Sequence, residues 1–148
     1  MAGGRGKAVK KPKTPTGHTP LGVPIQVDVP SGNDKKPLIR FTHVNEANYC
    51  MSKCDKMEVS VLVGFFKRVE ERTWAQIYAT AGTGLGKHGL GYEQVSPKKL
   101  PPMPNSVPTG VQPFELRANQ TIRVFAYRAD DDCFTLLFFD PKHKILGS

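Results

Sequence analysis

Hydrophobic and polar positions along the chain change period twice. In residues 37 to 44, PLIRFTHV, they alternate with the two-residue period of a strand. From Asp55 the period lengthens. Leu62, Phe65, Phe66 and Val69 fall at i, i+3, i+4 and i+7, one apolar stripe on a helix expected over residues 55 to 71. Asp55 and Glu58 have the spacing of a capping box at its start. Thr73 and Gln76 repeat that signal for a short second helix ending near Gly82, with Trp74, Ile77 and Tyr78 on one face as a core anchor.

Gly and Pro then dominate residues 82 to 110, which predicts long loops with one short ordered piece around residues 92 to 95. From Gln112 the two-residue period returns as a three-strand meander: FELR, TIRVFAY and CFTLLFFD. The first turn is expected at residues 118 to 120 and the second at the acidic run Asp130 to Asp132. CFTLLFFD is almost wholly apolar, which predicts an inner strand covered on both faces. The fold class that follows is α+β: two helices packed on one face of a small antiparallel sheet over residues 38 to 148.

Residues 1 to 37 carry Gly, Pro, Lys and Thr and almost nothing to bury, so a disordered basic tail is expected there, with residues 21 to 30 briefly apolar. The formal charge of +8 is unevenly placed. Residues 1 to 37 hold seven Lys/Arg and two Asp, 7 − 2 = +5, and the remainder holds fourteen against eleven, 14 − 11 = +3. Such a tail is either a tether to RNA or a solubilising extension. The charged N-terminus is followed by no apolar run of signal-peptide or membrane-span length, and Cys50, Cys54 and Cys133 are expected as reduced thiols of a cytoplasmic protein. Cys50 and Cys54 lack a second paired spacing, so no metal site is expected, and no cofactor either.

Candidate chemistry concentrates at the chain's end. Arg117 and Arg123 sit on neighbouring strands of one hairpin, with Arg123 expected about one pair beyond Thr121. Two close cations ask either for a phosphate between them or for pairing with Glu115 or Asp140. His143 follows Asp140 and can exchange a proton near neutrality, or stand as a plain exposed histidine. Gly82 to His88 misses the phosphate-loop spacing, leaving Lys87 and His88 as loop cations that could approach a phosphate backbone. Asp130 to Asp132 reads as a solvated turn before it reads as an ion site.

The order of Trp74-Ala-Gln-Ile77, a Gly-rich connection with Gly91-Tyr-Glu-Gln-Val95, and FELRANQTIRVFAYRADDDCFTLLFFDPKHK resembles the RelE/HigB-like toxin superfamily, in particular its small bacterial and phage branch. The resemblance spans about residues 38 to 145. It implies a metal-independent, ribosome-dependent mRNA endoribonuclease of a toxin–antitoxin-like system. In it Arg117 and Arg123 would stabilise the phosphorane, and Tyr127 and His143 would complete the catalytic set. Lys87, His88, Arg128, Lys142 and Lys144 would bind RNA, and an antitoxin protein is the implied partner. The same resemblance also admits a non-catalytic RNA- or ribosome-binding protein of that fold, or a ParE-like topoisomerase inhibitor.

Overall fold

The computed structural model describes residues 32–82 and 90–146. Residues 1 to 31, most of the expected tail, and the loop pair Lys87 and His88 lie outside them. The described elements are β1 (Ile39–Arg40), α1 (Lys56–Glu70), α2 (Trp74–Tyr78), β2 (Glu93–Gln94), β3 (Pro113–Arg117), β4 (Arg123–Arg128) and β5 (Phe134–Asp140).

Both helix starts form as their spacing predicts. Asp55 accepts from the Glu58 amide while the Glu58 carboxylate accepts from the Asp55 amide, and Thr73 and Gln76 do the same for α2. Reciprocal caps satisfy amides that a helix cannot pair within itself. α2 stops at Tyr78, short of Gly82; the Thr80 hydroxyl donates to the Ile77 carbonyl, and turns fill residues 79 to 82.

The sheet order is β1-β5-β4-β3-β2. β2 to β5 run antiparallel, but β1 lies parallel to β5, with Ile39 opposite Phe134. The expected all-antiparallel sheet is therefore a mixed one. Only two residues of the predicted first strand pair, and the parallel register needs the whole helical segment as its crossover.

Two apolar layers cover the sheet. Leu62, Phe65 and Val69 of α1 and Trp74 and Ile77 of α2 pack on Phe114, Leu116, Val124, Ala126, Phe134, Leu136 and Phe139. Trp74 is fully buried, stacks on Phe134 at 6.0 Å and donates its indole N–H to the Asp132 carbonyl. The opposite face is also covered. Val95, Leu100, Met103, Val107 and Val111 pack there on Phe125, Tyr127, Leu137 and Phe138. The Pro-rich connection is irregular, as expected, and also covers the second face, and β5 is buried along its whole length.

Candidate functional site

The β3–β4 hairpin decides what its arginines can do. Its turn spans residues 118 to 122 rather than three residues. The Ala118 amide donates to the Ile122 carbonyl, and the Asn119 side chain accepts from the Thr121 and Ile122 amides. The wider turn sets Arg117 directly opposite Arg123, not one pair away, and Arg123 opposite Asp140. Glu115 faces the same side, since it pairs with Phe125 in the same alternation.

Arg123 is only 6% exposed. Its Nη1 donates to the carbonyls of Asn119 and Gln120 at 3.0 Å and of Ile122 at 3.4 Å, and its Nε lies 3.7 Å from Glu115 Oε2. For Arg123 the expected pairing with Glu115 is present. Glu115 Oε2 has no hydrogen-bond donor, so the pair is held by charge alone at that atom. Burial raises the Glu115 carboxyl above its usual range, against the pull of Arg123, and burial lowers the Arg123 guanidinium. Arg117 is half-buried against Gly91, where an added Cβ would come within 3.1 Å of its side chain; Gly91 also has φ of +61°.

Tyr127, Arg128 and Lys142 have other surroundings. Tyr127 shares the second face with Arg123, but Phe125 lies between them, and four residues of strand span roughly 13 Å. Arg128 points to the helix face. There its guanidinium lies 4.7 Å from the Trp74 ring centre and bonds Asp132, Asn33, the Gly32 carbonyl and the Tyr78 hydroxyl. Lys142 pairs with Glu58 at 2.7 Å, and that partner raises its pKa. Asp140 does not orient the His143 ring; its carboxylate accepts from the Lys144 and Ile145 amides. His143 sits at φ +55° in the turn so made, and the Lys144 side chain is exposed. Tyr127 thus stands apart from the facing pair Arg117 and Arg123.

A different constellation gathers around Tyr127. Its ring stacks with His43 at 6.1 Å, and His43 Nδ1 lies 2.6 Å from Ser106 Oγ. Arg40 pairs with Asp131 and its Nη2 lies 3.2 Å from Cys133 Sγ. Arg40, His43, Ser106, Tyr127, Asp130 and Asp131 line a hollow of about 620 Å³. Burial and the Arg40 charge lower the His43 pKa, and burial raises that of Tyr127. His43 and Tyr127 thus sit side by side, each biased by burial toward its neutral form.

The acidic turn is not merely solvated: Asp131 holds Arg40, and Asp132 holds Lys35 and Arg128. No local signal pointed to Arg40, His43 or Ser106, because their partners lie 63 to 93 residues away. Among the described residues no group of three or more His, Cys, Asp or Glu side chains converges as metal ligands do, and no helix is long and apolar enough to cross a membrane.

No family model matches the chain, and neither a curated protein nor a solved structure matches it.

Proposed function

We propose that this protein binds RNA by charge, as a non-catalytic RNA- or ribosome-binding protein. One observation carries the reading: among the described residues the arginines are tied within the chain, while the lysines, Lys35 and Lys142 apart, are exposed without a salt bridge. Arg40, Arg68, Arg72, Arg117, Arg123 and Arg128 all have partners within the chain. Lys36, Lys53, Lys56, Lys67, Lys98, Lys99 and Lys144 are exposed. Lys7, Lys10, Lys11 and Lys13 of the N-terminal segment add to them. Exposed lysines and a basic segment suit backbone contacts without sequence readout. The order of helices, connection and meander supports the RelE-like resemblance, and free Cys50, Cys54 and Cys133 suit a cytoplasmic setting.

The experiment is to incubate the full chain with translating ribosomes and map mRNA ends while measuring ribosome retention. Retention without new ends is expected. New ends from the wild type overturn the non-catalytic reading.

A second reading, the endoribonuclease, is favoured by the hollow that joins Tyr127, His43 and Arg40. In that case new ends appear with the wild type and vanish with both Tyr127→Phe and His43→Gln. The antitoxin partner belongs to this reading alone.

A further inference from the structure

α1 buries one stripe and presents another. At about 100° per residue, Lys56, Val63 and Glu70, spaced by seven, fall within an arc of roughly 40°, with Val59 and Phe66 beside them. Lys56, Val63 and Glu70 are exposed, Val63 to 48%. Phe41, after β1 and also 48% exposed, meets Phe66 edge-on at 5.7 Å and carries the apolar surface off the helix. A hollow of about 480 Å³, lined in part by Phe41, Val44, Met51 and Val59, opens beside it. An apolar patch with a polar rim marks an interaction surface.

The rim chooses the partner. Neither Lys56 nor Glu70 has a salt bridge among the described residues. A uniformly acidic or basic partner would match one of them and oppose the other. A second copy can match both. We propose that this face forms a homodimer, with α1 laid antiparallel across α1 of a second copy about a twofold axis at Val63. The axis fixes the register: position 63 − 7 meets 63 + 7. Lys56 then faces the partner's Glu70, and Glu70 faces the partner's Lys56. Val59 lies against the aliphatic stem of the partner's Lys67, four residues from the axis on either side. This is the self-complementarity that an isologous contact requires.

Sedimentation of the nuclease-treated full chain over a range of concentrations tests the dimer. A concentration-dependent monomer–dimer equilibrium is expected, and Val63→Glu raises its Kd by ~30-fold or more. Lys56→Glu and Glu70→Lys each weaken it by about 10-fold, since two symmetric pairs become two repulsions. The double exchange restores affinity to within about 3-fold of the wild type. These side chains are exposed, so circular dichroism is expected to be unchanged in every variant. A chain that stays monomeric, a dimer indifferent to Val63→Glu, or a double exchange without rescue overturns the proposal. None of these outcomes depends on whether the chain binds RNA.

Discussion

The β3–β4 hairpin and the lysine-bearing surface hold the same sign of charge and use it oppositely. In the hairpin, Arg123 is buried, tied to three turn carbonyls and set beside Glu115. On the surface, Lys98 and Lys99 stand exposed on a short turn started by Ser96 and Pro97. A planar guanidinium has several donors in fixed directions and can close a turn, whereas an ammonium on a flexible stem is better kept in water. Net charge therefore says little about a binding site until it is known which cations already serve the fold.

The sharpest way to break this contrast is Arg123→Ala. It leaves Glu115 buried without its counter-charge and frees three carbonyls, so unfolding by urea should show a loss of about 3–5 kcal/mol. A loss below ~1 kcal/mol would return Arg123 to the pool of residues available for catalysis. Arg128→Ala removes the cation over Trp74 and the ties to Asp132, Asn33 and Tyr78, with a cost of about 1–3 kcal/mol in the same measurement.

The two hairpins also differ in the sign of their pH dependence. Arg40, then the Cys133 amide, hold Asp131 at about 2, below its ordinary 3.8. Its contribution is present above 3.8 and is lost as pH falls toward about 2. Glu115 is raised above 4.5 by burial, so its contribution is present below 4.5 and is lost as pH rises through its folded value. Urea midpoints against pH should show the stability gap between wild type and Asp131→Asn closing on acidification. For Glu115→Gln, the wild type's loss of stability on raising pH above 4.5 should be absent. Gaps that do not move with pH in those windows would remove the electrostatic part of the contrast. The smallest effect belongs to Lys98→Ala with Lys99→Ala. Stability should change by under ~0.5 kcal/mol, while the salt slope of RNA binding falls by about 0.7 per lysine on a single strand.

Local signals made the helices legible. Asp55/Glu58 and Thr73/Gln76 announce caps within four residues, and the stripe through Leu62 and Val69 is read from spacing alone. The meander was legible for the same reason, and so was Trp74 as a core anchor. What escaped depends on contacts across the chain. The parallel pairing of β1 with β5, the cover that residues 95 to 111 make over the second face and the meeting of Arg40 with Asp131 have no local period. The place of Arg123 turned on one detail, a five-residue turn where three were expected. That shift set Arg123 opposite Arg117 and Asp140, with Glu115 on the same face.

The division of cations is tested most directly by single-stranded RNA affinity across a salt series. Three full-length proteins are compared: wild type, a variant with Lys7, Lys10, Lys11 and Lys13 changed to Gln, and Arg123→Met. The lysine variant should lower the slope of log K against log salt by about 3, at roughly 0.7 per lysine. Arg123→Met, held below its melting temperature, should leave the slope where it was. An unchanged slope in the lysine variant, or a reduced one in folded Arg123→Met, would contradict the assignment of arginines to the fold and lysines to RNA.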